Sequence, residues 1–135
     1  MSEATPVKPT QPKWKTWTGW ILSLLPVAPM AMSAFFKIKP PPEILEEFGK
    51  MGFTADLMRI IGVVEIACVV IYLIPQTAVL GAILLTGYLG GATEVHAQKQ
   101  EWQFIAPVAF GVIFWLGLFL RDPRQRVLIP FRKWP

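Results

Sequence analysis

Apolar and polar positions fall in long blocks along this chain. Gly19 to Phe36 is a run of 18 residues without a charge. Pro75 to Thr93 is a second, of 19, and Gln103 to Leu120 a third, of 18. A fourth block, Ile60 to Ile74, contains only Glu65. Such runs are wider than the single apolar stripe that a soluble helix turns to its core. A chain of 135 residues cannot enclose four of them on all sides. A bilayer can, because a spanning helix needs about 20 largely apolar residues. Four spans would take roughly 80 residues and leave about 55 for tails and loops.

The pattern therefore predicts an all-α fold, a four-transmembrane-helix bundle with a short amphipathic helix between spans one and two. Residues 1–16 read as a polar, proline-rich N-terminal tail. Residues 17–120 read as the membrane bundle and 121–135 as a basic C-terminal tail. Span one is expected from about Trp17 to Phe36, anchored at the headgroups by Lys15, Trp17 and Trp20. Pro26 and Pro29 remove helical bonds to the carbonyls of Leu22 and Leu25 and should kink it. Pro40, Pro41 and Pro42 break the chain before Glu43 to Lys50. There Ile44, Leu45 and Phe48 face one way and Glu46, Glu47 and Lys50 the other, as on a helix lying at a membrane surface. Thr54 to Asp56 can cap span two, about Leu57 to Ile74. Pro75-Gln76-Thr77 is a tight turn that sets span three, about Ala78 to Val95, antiparallel to it. The polar stretch Glu94 to Gln103 links to span four, about Gln103 to Leu120.

Charge adds an orientation. With four spans both termini share a side. That side carries Lys8, Lys13 and Lys15 with Arg121, Arg124, Arg126, Arg132 and Lys133. The other carries Lys37, Lys39, Lys50, Arg59 and Lys99. The larger basic share places both termini in the cytoplasm. The net charge of +4 is spread beside apolar spans, which suits lipid headgroups and not a nucleic acid. One cysteine, Cys68, excludes an intrachain disulfide, and one histidine, His96, excludes a multi-histidine metal site in one chain. No metal site is expected.

Three stretches resemble a known family. Gly62-Val63-Val64-Glu65-Ile66-Ala67 is one, and the run from Tyr72 to Thr93 with His96 is the next. Trp115-Leu116-Gly117-Leu118-Phe119-Leu120-Arg121-Asp122-Pro123-Arg124 is the third. Together they strongly resemble the DoxX-like membrane proteins over about Gly19 to Pro130. The resemblance implies a four-helix bundle in the bacterial cytoplasmic (inner) membrane. It also implies a link to quinone-connected thiosulfate oxidation and to membrane oxidoreductase complexes. The sequence departs from the family pattern at His96, where an arginine often follows and Ala97-Gln98 stand here.

Glu65 is the residue most charged with consequence. It lies about 12 Å into span two, where an ionised carboxylate must pair, face the interior or be protonated. The antiparallel turn puts Tyr88 near its level, so a buried Glu65–Tyr88 hydrogen bond or shared polar pocket is expected. That pocket could anchor a quinone-like headgroup or relay protons, or the carboxyl could simply lock two helices. His96 shares a face with Tyr88 and Ala92 and could pass protons toward them. An interfacial ion pair is expected between Arg59 and Glu94. Gly81, Gly87, Gly90 and Gly91 place small residues along span three, as close helix packing requires; an opening for a ligand beside Tyr88 is the alternative. Cys68 reads as a buried small residue, and Trp102, Trp115 and Trp134 as belt or packing residues.

Two function classes follow. One is an accessory or structural subunit of a bacterial membrane complex, with other membrane subunits or further copies of itself as partners. The other is a quinone-linked redox or small-molecule-binding membrane protein using Glu65, Tyr88 and His96. No cofactor motif is identifiable, so redox work would need a partner or a diffusible quinone.

Overall fold

The computed structural model describes residues 10–129 and Phe131. The parts of the two expected tails before Thr10 and after Phe131, with Lys8, Arg132, Lys133 and Trp134, lie outside the described residues. Among the described residues six α-helices follow in order. They are α1 (Lys13–Leu24), α2 (Val27–Ile38), α3 (Pro42–Gly49), α4 (Ala55–Leu73), α5 (Ala78–Gln98) and α6 (Ile105–Arg121). Short 3-10 turns at Trp102–Phe104 and Pro123–Val127 flank α6.

The first helix starts at Lys13, inside the stretch read as tail, directly after the extended Pro12. Pro26 divides α1 from α2. It is buried, so the interrupted backbone faces protein and not lipid. The bend lets α1 lie along α6 and α2 along α4. Helix α4 then packs on α5, and α5 on α6, which closes a ring. Thr54 caps α4, its Oγ1 accepting from the Leu57 backbone N–H at 3.2 Å. The third long helix outruns the expected end at Val95 by most of a turn. Alanine and glutamine favour helix there, and the Gln98 amide donates to Glu94 one turn back. Gln11 donates to the Arg121 carbonyl, and Arg126 donates to Gln11, so the two ends of the described chain meet at one end of the bundle.

Among the described residues three segments are long and apolar enough to cross a membrane by length and composition: Lys13–Ile38, Ala78–Gln98 and Trp102–Arg121. Helix α4 is long enough but carries three charged residues, Asp56, Arg59 and Glu65, and is not among them. The surface is apolar where a soluble protein's is not. Ile21, Phe35, Ile60, Val63, Leu80, Ile83 and Val112 are exposed along the helices. Glu65, Ser23, Arg121 and Gln125 are buried. This arrangement suits a hydrocarbon solvent.

Close backbone approach is made at glycines. A Cβ on Gly19 would stand 2.7 Å from the Gly117 carbonyl, and one on Gly117 would stand 2.7 Å from Ser23 Oγ. These seat α1 on α6. A Cβ on Gly81 would run into the backbone of Tyr72, which seats α5 on α4. Gly87, Gly90 and Gly91 have open space where a side chain would go, so they do not mediate packing among the described residues. That corrects the expectation for three of the four glycines on α5. The helix turns them away from its contact with α4.

Candidate functional site

Three helices, α2, α4 and α5, bring polar groups into the apolar interior at one level. Glu65 lies ten residues from Ala55 at the start of α4. Tyr88 lies ten residues from Gln98 at the end of α5, and these two helix ends share a side of the bundle. Each is therefore about 15 Å in from that side. Tyr88 Oη donates to Glu65 Oε2 at 2.7 Å. Glu65 is 2% exposed.

The sequence reading missed the third member. Lys37, near the end of α2, reaches inward. Its Nζ donates to Glu65 Oε2 at 2.8 Å, to Tyr88 Oη at 2.8 Å and to Ser33 Oγ at 2.6 Å. An ammonium has three donors, and all three are used. The Tyr88 hydroxyl accepts from Lys37 and passes its own proton toward Glu65. The cluster is thus a neutral ion pair with a bridging hydroxyl, not an isolated acid. Gly62 makes it reachable. A Cβ there would stand 2.9 Å from the Ala34 carbonyl and 3.1 Å from Lys37 Cβ. Its absence lets α2 approach α4 one turn from Glu65. Lys37 sits four residues after Ser33 in an apolar helix, and that i,i+4 spacing was the available signal.

A cavity of about 620 Å³ opens beside this cluster. Lys37 and Tyr88 line it on the inside, with Gly87 and Gly91 forming a bare wall on α5. Phe48 and Phe53, edge to face at 5.5 Å, close it from the side of α3. Helix α3 is tied down by Lys99, whose Nζ donates to Glu47 at 2.8 Å and lies 4.3 Å from the centre of the Phe48 ring. The Lys99 ammonium beside Glu47 holds that carboxyl below the usual carboxylate range.

His96 and Glu94 stand at the outer rim of the cavity. His96 Nδ1 is 3.3 Å from Glu101, and no hydrogen bond joins it to Tyr88 among the described residues. The two are eight residues apart along α5, too far for a direct proton step. The expected Arg59–Glu94 pair is replaced. Arg59 pairs with Asp56 at 2.8 Å, one turn back on its own helix, and Glu94 accepts from Gln98. A local partner at i,i+3 needs no crossing between helices. Cys68 is buried in the core. No three His, Cys, Asp or Glu side chains converge as a metal site would need, among the described residues.

At the opposite end Arg121, expected in the basic tail, is buried in the bundle. It donates from Nη2 to the Tyr72 carbonyl at 2.8 Å. Tyr72 itself anchors three helices: its hydroxyl is 2.6 Å from the Phe114 carbonyl and 2.9 Å from Ser23 Oγ. Trp115 donates to Thr86 at 2.7 Å and serves packing between α5 and α6.

Exposed apolar helices, three segments long and apolar enough to cross a membrane among the described residues, and an inward-facing ion pair define a small, multi-pass α-helical membrane protein. Residues 21–117 match the DoxX-like family, and the chain belongs to that family. No curated protein and no solved structure matches it.

Proposed function

We propose that this protein binds a small amphipathic molecule, of the quinone type or another carbonyl-bearing apolar compound, in the cavity under α3. The observation that carries the reading is the placement of Lys37 and Tyr88 on the wall of an otherwise largely apolar cavity. Its volume of about 620 Å³ is of small-molecule size. A ligand carbonyl entering there can accept from the Lys37 ammonium in place of Ser33. The ion pair with Glu65 stays intact, so the bound state does not strand a charge. The reading assigns binding and orientation, and no bond-making step.

The same cluster supports α4 as a fourth span. Glu65 is neutralised by Lys37, and Asp56 and Arg59 pair with each other in the first turns of the helix. Its net cost in a bilayer is then smaller than its count of charges suggests. With four spans, the greater basic share on the side of the termini supports a cytoplasmic location for both. A bacterial inner membrane is the setting implied by the family resemblance.

The test is binding of a short-chain ubiquinone analogue to the purified full chain, read by native mass spectrometry. Gly91→Leu places a side chain in the cavity at a position where nothing obstructs it. Binding is expected to fall at least about tenfold with an unchanged melting temperature, a loss of about 1.4 kcal/mol. Equal binding by wild type and Gly91→Leu defeats the proposal.

The accessory-subunit reading keeps one observation of its own. A groove of about 730 Å³ runs between α5 and α6, walled by Thr86, Gly90, Val108, Gly111 and Val112. Small residues of this kind admit a close helix neighbour. Recovery of a stoichiometric membrane partner with the tagged chain, lost on Gly90→Leu, would favour that reading.

A further inference from the structure

The end of the bundle opposite α3 holds a second polar feature, independent of the cavity under α3. Arg121 closes α6 and is 9% exposed. Its guanidinium lies 4.2 Å from the centre of the Trp20 ring and 4.6 Å from that of Tyr72. Nη2 is satisfied by the Tyr72 carbonyl, but Nη1 is buried without a hydrogen-bond partner among the described residues. Among the described residues no carboxylate forms a salt bridge with it. The adjacent Asp122 is held by Arg124, which donates from Nε at 3.0 Å and from Nη2 at 3.1 Å. A buried charge left in this state is costly, and a guanidinium's fork of donors fits the oxygens of a phosphate.

A cavity of about 900 Å³ adjoins it. Arg121, Arg124 and Gln76 supply polar lining, and Val79, Leu118 and Leu128 supply apolar lining. Its formal charge is positive, two arginines against Asp122. The cavity lies between the α4–α5 turn, the start of α5 and the end of α6, beside Trp20, a residue type that favours the membrane interface.

We propose that this cavity binds a phosphate-bearing anion, with Arg121 as the principal contact. The bound phosphate supplies the directly paired counter-charge that Arg121 lacks among the described residues. The apolar walls favour a phospholipid headgroup whose acyl chains follow α5 and α6 into the bilayer. A soluble phosphate would use the same donors.

The experiment uses the full chain purified in a mild non-ionic detergent. Native mass spectrometry measures retention of phosphatidylglycerol against phosphatidylcholine. A parallel melt compares sodium phosphate with sodium chloride at equal ionic strength. Gln76→Glu adds a negative charge to the lining at an exposed turn and leaves every contact of Arg121 in place. Retention of phosphatidylglycerol about tenfold above phosphatidylcholine, falling to parity in Gln76→Glu, supports the proposal with a lipid as the source. Stabilisation by inorganic phosphate without lipid preference, abolished in Gln76→Glu, supports it with a soluble anion as the source. Equal retention of both lipids with no phosphate effect overturns it. So does anion binding that Gln76→Glu leaves unchanged.

Discussion

Lys37 Nζ stands 2.8 Å from Glu65 Oε2 across 28 residues of sequence, and the pair shares the hydroxyl of Tyr88. Two charges that would each be excluded from a bilayer are admitted together. Their contact depends on Gly62, which lets α2 descend onto α4.

Removing one partner should cost more than removing both. Lys37→Met is expected to destabilise the chain by about 3–5 kcal/mol, since it leaves the buried Glu65 carboxylate unpaired, and Glu65→Gln by less, since Lys37 keeps Ser33 and Tyr88 and borders the cavity. The double variant should lose less than the sum of the singles. Unfolding of all four proteins in one detergent gives the coupling, and additive losses would mean the pair does not act as a unit.

The glycines of α5 should split into two behaviours. Gly81→Ala drives a methyl into the Tyr72 backbone and should cost about 1–3 kcal/mol or more. Gly90→Ala meets nothing and should be neutral, or stabilising by up to about 1 kcal/mol through helix propensity. Melting temperatures check both. A large loss at Gly90 would instead show that another chain covers that face.

Tyr72 is expected to be the most sensitive aromatic position to loss of a hydroxyl. Around it two hydroxyl protons serve three contacts: Ser23 to Gly19, Ser23 to Tyr72, and Tyr72 to Phe114. Tyr72→Phe leaves the buried Phe114 carbonyl without that donor and should cost about 1–3 kcal/mol. Denaturant midpoints would report it, and a midpoint equal to wild type would show that water replaces the hydroxyl.

The tie between α3 and α5 should weaken in acid. Lys99 depresses the Glu47 carboxyl in the folded chain, so the stability it adds is present above the ordinary value of 4.5. It is lost as pH falls through the lower folded value. Glu47 is exposed, so the effect is small and shrinks with salt. Opening of residues 42–49, read as hydrogen exchange relative to the intrinsic amide rate at each pH, should rise between pH 5 and pH 3, and Lys99→Ala should abolish the difference. An equal rise in both proteins would assign the change to another group.

Much of this was legible in residue order. Apolar run lengths fixed an all-helical membrane protein, and Pro75-Gln76-Thr77 fixed α4 and α5 as antiparallel neighbours, which brings Glu65 and Tyr88 level. These are local or nearest-neighbour properties. Their physics needs only a helical period and a transfer free energy. What residue order withheld depends on which faces meet. Lys37 counts as a surface charge until the bend at Pro26 aims α2 at α4. Arg59 chooses Asp56 over Glu94 because a partner one turn away needs no helix crossing. Arg121 belongs to a basic tail by position, and to the interior by its seat between Trp20 and Tyr72. Gly81 packs while Gly87, Gly90 and Gly91 do not, because rotation of α5 is set by all its neighbours at once. Composition determines that a helix enters the membrane; only packing decides which of its side chains the protein keeps from the lipid.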